Sequence, residues 1–130
     1  MFNRSRILVV EDEPIVAVDL AYAVVRLGGT VLGPVPSLAY AFNLLETLVP
    51  DGAILDAILT DGEVTPLALH LHARSVPFVL HTGTGLPAAL AAIIPDIPVL
   101  MKPTPSERVA ELLAAQIGAR PQCRPALRQT

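Results

Sequence analysis

Carboxylates, a hydroxyl and an ammonium group follow four separate apolar runs of this sequence. Glu11 and Asp12 follow ILVV, Asp56 follows GAIL, and two later runs end in Thr82 and Lys102. Neighbouring carboxylates beside apolar residues repel one another and lose hydration, so the acidic groups need a compensating partner. Carboxylate oxygens are the ligands that Mg²⁺ prefers. Glu11, Asp12 and Asp56 therefore predict a divalent-cation site, with Mg²⁺ the best candidate, and Lys102 would offset part of the repulsion in its absence.

Each of these residues also has an ordinary structural interpretation. An acidic pair after a strand often begins a helix, where it interacts favourably with the helix dipole. Asp56 alone could be a turn residue, and Thr82 or Lys102 alone would suit a loop. It is their joint placement after four apolar runs that favours a single site.

The apolar runs have the length of strands and alternate with helical segments. Four of the five runs are continuous rather than alternating, as a parallel sheet covered on both faces requires. The predicted strands are 6–10, 30–35, 52–59, 77–81 and 97–101, and the predicted helices are 14–27, 37–48, 64–74, 86–94 and 104–118. This alternation predicts an α/β doubly wound sheet. Ligands of such sheets bind at the carboxyl ends of the strands, where the polar groups would meet.

Local signals predict where several helices begin and end. Gly28 is expected to stop the first helix, and Ser37 is expected to cap the start of the second. Thr104 is the predicted cap of the last helix, with Pro105 at its first position and Glu107 at its third.

Composition narrows the class of protein. The chain has 130 residues, of which 52% are hydrophobic and 16% charged, which indicates one domain rich in core. A net charge of −3 disfavours a nucleic-acid partner. The start resembles no secretory signal, and prolines and glycines divide the uncharged stretch 75–95, so neither a signal peptide nor a membrane span is expected. A single cysteine, Cys123, fits a reducing compartment, and a cytoplasmic location is predicted.

The order of these motifs resembles the receiver domain of bacterial response regulators, the CheY-like family. The resemblance rests on ILVVEDEP, an Asp ending the third strand, a Thr ending the fourth and Lys-Pro ending the fifth, and it covers residues 6–118. It implies a flavodoxin-like fold of five parallel strands in the order 2-1-3-4-5 with five helices. It also implies a receiver domain over 1–118. The basic, proline-containing composition of 119–130 predicts a flexible tail.

The resemblance assigns a role to each site residue. Asp56 would be the phosphoacceptor, and the backbone carbonyl of Ile58 would join the three carboxylates as a ligand of Mg²⁺. Thr82 would hydrogen-bond the phosphoryl group, Lys102 would pair with it, and the Lys102–Pro103 bond would be cis.

The resemblance also implies partners. The donor would be a sensor histidine kinase or a histidine phosphotransferase, and the output would be binding to a downstream protein. The chain would be a stand-alone switch rather than an enzyme, with chemistry limited to its own phosphorylation and dephosphorylation.

The sequence departs from the family pattern at three positions. Val99 stands where the family usually has an aromatic residue whose rotamer reports phosphorylation. PFVLHTGTG resembles a branch of receivers with a Phe-Ala-Thr-Gly-aromatic run, but His81 replaces the alanine and Thr84 the aromatic residue. A valine cannot swing as a ring does, so we expect the signal to travel through the segment 83–96.

Other functions remain open at this point. A pseudo-receiver that binds proteins without phosphorylation would suit the missing aromatic residue. An Mg²⁺-dependent phosphohydrolase with an aspartyl nucleophile would need an acidic residue two positions after Asp56, where this chain has Ile58. A flavin-binding flavodoxin is disfavoured because EDEP would repel a phosphate. The apolar segment 87–94 is either buried in its own fold or the surface of a homodimer or partner contact.

Overall fold

The computed structural model describes residues 1–119, along which strands and helices alternate. The strands are β1 Arg6–Val10, β2 Thr30–Val35, β3 Gly52–Leu55, β4 Ile58–Leu59, β5 Gly62–Glu63, β6 Phe78–Thr82 and β7 Val99–Met101. The helices are α1 Pro14–Arg26, α2 Leu38–Leu45, α3 Thr65–Ala73, α4 Ala88–Ile93 and α5 Ser106–Gly118. The eleven residues 120–130, which include most of the predicted tail and Cys123, lie outside the described residues.

Five of the strands form one parallel sheet in the order β2-β1-β3-β6-β7. Strands β4 and β5 pair separately as a short antiparallel hairpin. With the hairpin set aside, the order is 2-1-3-4-5, so the predicted flavodoxin-like, doubly wound sheet with five helices is confirmed.

The core has two layers because successive strand residues point to opposite faces of the sheet. Ile7 and Val9 of β1 pack in the cluster that contains the buried residues of α1 and α5. Leu8 and Val10 of the same strand pack in the cluster that contains those of α2, α3 and α4. A central strand with both faces covered must be apolar throughout, which explains the continuous run.

Two of the three predicted helix ends are confirmed. Gly28 follows α1 with a φ of +90°, and Ser37 Oγ accepts a hydrogen bond from Tyr40 N at 3.2 Å. The predicted Thr104 cap is wrong. Pro105 occupies the N-cap position of α5 without a side-chain hydrogen bond, and the Thr104 hydroxyl instead donates to the carbonyl oxygen of Met101. The helix thus begins one residue later than predicted, and Glu107 is its second residue instead of its third.

The predicted third strand is too long, because the run 52–59 breaks at Asp56. Beyond the break, the β4–β5 hairpin is held by Asp61, which accepts hydrogen bonds from Leu38 N at 2.9 Å and Ala39 N at 3.0 Å. Asp61 thus satisfies backbone donors at the start of α2. Asp56 therefore lies between the end of β3 and the start of the hairpin.

None of the helices described within residues 1–119 is both long and apolar enough to cross a membrane.

Candidate functional site

The four polar segments meet at the carboxyl edge of the sheet, as predicted. Glu11 follows β1, Asp56 follows β3, Thr82 ends β6 and Lys102 follows β7. Backbone hydrogen bonds fix this edge: Asp56 N donates to Val10 O at 3.0 Å, and Lys102 N donates to Thr82 O at 2.8 Å. The sheet register therefore sets the relative positions of the site residues.

Glu11, Asp12 and Asp56 form an acidic cluster in which one oxygen from each residue lies within 4.8 Å of the others. Glu11 and Asp56 are buried, with 2% and 7% of their surfaces exposed. Within residues 1–119, Glu11 Oε1 accepts no hydrogen bond, although Lys102 Nζ forms an ion pair with it at 3.2 Å. Lys102 shares its single positive charge between this carboxylate and Asp56, so a further cation would still relieve the repulsion between the buried acids. The donor set therefore fits a hard divalent cation such as Mg²⁺.

The ammonium nitrogen of Lys102 contacts three carboxylates. Nζ lies 3.2 Å from Glu11 Oε1, 3.3 Å from Asp56 Oδ2 and 3.0 Å from Glu13 Oε1. The contacts with Glu11 and Asp56 were expected from the sequence. The contact with Glu13 was missed, although the position of Glu13 two residues after Glu11, at the start of α1, was the available signal.

Burial and neighbouring charges shift the pKa values of Glu11 and Lys102. Burial first, and then the negative charge of Asp56, raise the pKa of Glu11 to about 7. Although burial works against its charge, hydrogen bonds to Glu13 and Glu11 raise the pKa of Lys102 above its ordinary value. Without a cation, Glu11 is therefore about half protonated near neutral pH, whereas Lys102 is fully charged.

Thr82 lies on the same edge, but its hydroxyl group pairs with Thr84. The two Oγ1 atoms are 3.1 Å apart, and Thr84 N donates to Thr82 Oγ1 at 3.1 Å. The pairing was not predicted from the sequence, where Thr84 was noted only as the replacement for an aromatic residue. It links the hydroxyl of the site directly to the loop that follows β6.

The remaining predicted residues surround the site. Ile58 begins β4, two residues beyond Asp56, and the Lys102–Pro103 bond is cis, as expected. Val99 is partly buried against the core. His81 is 3% exposed, and within residues 1–119 neither ring nitrogen has a hydrogen-bond partner. Burial lowers the pKa of His81, which keeps the ring neutral at pH 7.

The apolar segment 87–94 is partly buried and partly exposed. Leu90 and Ile94 are buried in the core, whereas Ile93 on α4 is 57% exposed. Only part of the helix is therefore covered by its own fold, and a homodimer or partner contact at its outer face stays a prediction.

Comparisons with known proteins identify the family. No protein-family model and no curated protein sequence matches the chain. Among solved structures, the response regulator PhyR from Brucella abortus is 25% identical, with a TM-score of 0.76 over 96% of this chain and 52% of its own. SdrG from Sphingomonas melonis Fr1 is 36% identical over 90% of this chain and 98% of its own, with a TM-score of 0.71. The chain is a response regulator receiver domain.

Two further structures are similar to this receiver. A CheY-like receiver domain protein from Methanospirillum hungatei JF-1 shares the fold, with a TM-score of 0.76 at 19% identity over 88% of this chain and 94% of its own. A BeF₃-activated conformation of SdrG is 39% identical over 90% of this chain and 99% of its own, with a TM-score of 0.68. The receiver spans about half of the PhyR chain and almost all of SdrG.

Proposed function

We propose that this receiver accepts a phosphoryl group on Asp56 and thereby switches its binding to a downstream protein. The donor would be a sensor histidine kinase or a histidine phosphotransferase. The position of the Asp56 carboxylate supports this function best. It belongs to the acidic cluster and lies 3.3 Å from Lys102 Nζ. A carboxylate between a cation site and a fixed ammonium group is arranged for phosphoryl chemistry.

Glu11, Asp12 and Asp56 would hold Mg²⁺ together with the backbone carbonyl of Ile58. When bound, the cation neutralises negative charge on the phosphoryl oxygens. The buried Glu11 carboxylate has to give up its proton for this role, because its pKa is raised to about 7. The pH dependence of the site follows from that requirement.

The transfer itself uses the protein's own side chains. A carboxylate oxygen of Asp56 attacks the phosphorus of a phosphohistidine, a P–O bond forms, and the P–N bond breaks as the imidazole leaves. Lys102 pairs with one phosphoryl oxygen, and its raised pKa keeps it charged throughout. The Thr82 hydroxyl donates a hydrogen bond to another phosphoryl oxygen, while Thr84 N continues to donate a hydrogen bond to Thr82 Oγ1.

The two alternative functions make different demands on the site. A phosphohydrolase would need a proton donor two residues after Asp56, and Ile58 has none. A pseudo-receiver would have no need for an acidic cluster around a buried acceptor with a lysine in contact. Phosphorylation without an independent enzymatic activity is therefore the function we favour.

The proposed setting follows the composition. With a net charge of −3, the receiver would act on protein partners and not on nucleic acid. Its single cysteine fits a reducing compartment, so it would act in the cytoplasm without binding membranes. Its output would come from the segment 83–96, since Val99 offers no ring to move, and the exposed face of α4 would contact a second copy or a partner.

The test is phosphorylation by a small-molecule donor, followed by the intact mass of the protein. With Mg²⁺ and acetyl phosphate, we expect a gain of one phosphoryl group, which is lost in EDTA and in Asp56→Asn. Asp12→Asn should reduce the yield at limiting Mg²⁺. If the wild-type protein gains no phosphoryl group, even from a phosphorylated histidine phosphotransferase, the pseudo-receiver function is favoured instead.

A further inference from the structure

Glu13 makes the shortest of the three contacts with Lys102, yet it is the one partner outside the acidic cluster. Its Oε1 atom is 3.0 Å from Lys102 Nζ, against 3.2 Å for Glu11 and 3.3 Å for Asp56. The side chains of the acidic cluster that could hold a cation are those of Glu11, Asp12 and Asp56, and Glu13 is not among them. Glu13 thus contributes to the position of the lysine and not to the metal cluster.

The three partners of Lys102 differ in their exposure to water. The side chain of Glu13 is 62% exposed, whereas those of Glu11 and Asp56 are 1% and 9% exposed. An ammonium group has three donors, so these three carboxylates use its whole capacity. A new anionic partner can therefore bind Lys102 fully only if one of the three leaves.

We propose that Glu13 is a positioning residue that holds Lys102 over the site until a phosphoryl oxygen replaces it. This inference rests on the proposed phosphorylation of Asp56. Glu13 is the partner that can leave at the lowest cost, because water solvates its exposed carboxylate on release. Glu11 and Asp56 cannot be released in the same way, because both side chains are buried in the acidic cluster and have little access to water there.

Glu13 should also make the unphosphorylated site selective against stray anions. Its negative charge satisfies Lys102 and repels an incoming anion, so each anion has to displace it. Removing the charge should then favour the phosphorylated form over the unphosphorylated one. The side chain of Glu13 makes no capping hydrogen bond to α1, so a substitution by Gln keeps the start of that helix intact.

The experiment is a titration of the full chain with beryllofluoride at saturating Mg²⁺, with the dissociation constant obtained from NMR shifts of backbone amides. We expect Glu13→Gln to bind beryllofluoride about two- to fivefold more tightly than wild type, the range set by an exposed ion pair. Glu13→Asp retains the charge and should stay close to wild type. Glu111→Gln, which removes an exposed carboxylate from α5, is the matched control and should not change the affinity.

Repeating the titration at high salt distinguishes an electrostatic role of Glu13 from a structural one. The exposed Glu13–Lys102 contact is screened at high ionic strength, so the difference between wild type and Glu13→Gln should shrink towards onefold at about 1 M salt. Equal or weaker binding by Glu13→Gln at low salt overturns the inference while leaving the proposed function intact. If wild type itself binds no beryllofluoride, the proposed function fails, and the inference fails with it.

Discussion

Lys102 Nζ lies 3.3 Å from Asp56 Oδ2 even though the strands that precede the two residues are not neighbours. Strand β6 lies between β3 and β7 in the sheet. The long side chain of Lys102 spans this gap, and the hydrogen bond from its backbone nitrogen to Thr82 O fixes where the span begins. The contact therefore depends on the order of the strands, and the site forms only when β1, β3, β6 and β7 are paired in that order.

We expect the affinity for Mg²⁺ to fall at acid pH. The raised pKa of Glu11, about 7, means that a proton competes with the cation for the same carboxylate. Below pH 7 the affinity should drop by up to about tenfold per pH unit, and above pH 8 it should level off. Isothermal titration at pH 6, 7 and 8, in two buffers of different ionisation enthalpy, gives both the affinity and the protons released. Equal affinity at pH 6 and pH 8 would contradict this assignment.

The same group should make the metal-free protein less stable as the pH rises. Between its ordinary pKa of 4.5 and its folded pKa of about 7, Glu11 binds more protons in the folded than in the unfolded state. Its contribution to the free energy of unfolding is thus fully present below pH 4.5 and is lost as the pH rises through 7, by at most about 3 kcal/mol.

Glu11→Gln isolates this contribution, because its side chain is a neutral mimic of the protonated acid. Urea unfolding of both proteins in EDTA, at intervals from pH 5 to pH 8, should show wild type losing stability relative to the variant. Parallel curves for the two proteins would mean that Glu11 does not titrate in this range.

Removing the lysine should strengthen metal binding. Lys102 contacts oxygens of Glu11 and Asp56, both in the acidic cluster, so its charge opposes a divalent cation there. We expect Lys102→Ala to bind Mg²⁺ at least about fivefold more tightly, since a unit charge at 4 Å is worth about 1 kcal/mol even in water. Lys102→Arg keeps the charge and should stay near wild type. Weaker Mg²⁺ binding by the alanine variant would show that the lysine organises the cluster instead.

The hydroxyl of Thr84 should carry the signal from the site to the segment 83–96. Thr82 Oγ1 is 3.1 Å from Thr84 Oγ1. A phosphoryl group that accepts a hydrogen bond from the Thr82 hydroxyl therefore alters the hydrogen bond between Thr82 and Thr84. Thr84→Val keeps the shape of the side chain and the backbone donor but loses the hydroxyl, whereas Thr84→Ser keeps both polar groups.

Hydrogen exchange with and without beryllofluoride measures this effect. Wild type and Thr84→Ser should show altered amide protection in 83–96, and Thr84→Val should show a smaller change although Asp56 is still modified. An equal change in all three proteins would exclude the hydroxyl pair as the link. Identical exchange in wild type with and without the analogue would exclude the segment itself.

Much of the fold could be predicted because hydrophobic periodicity reports burial directly. Continuous aliphatic runs mark strands covered on both faces, and β1 has the predicted bounds 6–10. The edge strand β2, whose run is not continuous, also has its predicted bounds 30–35. The same reasoning placed Glu11, Asp56, Thr82 and Lys102 on one edge, because parallel strands share their carboxyl end.

What escaped prediction depends on side-chain geometry in three dimensions. The contact of Glu13 with Lys102 joins residues 89 positions apart in the chain, and no local pattern encodes it. Thr104 matches a helix cap in sequence, yet its hydroxyl bonds to Met101 O instead. The β4–β5 hairpin was missed because its two-residue strands are too short to show a period, and the run 52–59 was apolar on both sides of Asp56.

Chemical identification of the phosphorylated residue tests the role of Asp56 directly. After treatment with Mg²⁺ and acetyl phosphate, borohydride reduces an aspartyl phosphate to homoserine, and peptide mass spectrometry locates the change. We expect homoserine at position 56 in wild type, and none there in Asp56→Asn or in EDTA. Homoserine at another carboxylate, or an unmodified Asp56 in a protein that binds Mg²⁺, would contradict the assignment of Asp56 as the phosphoacceptor.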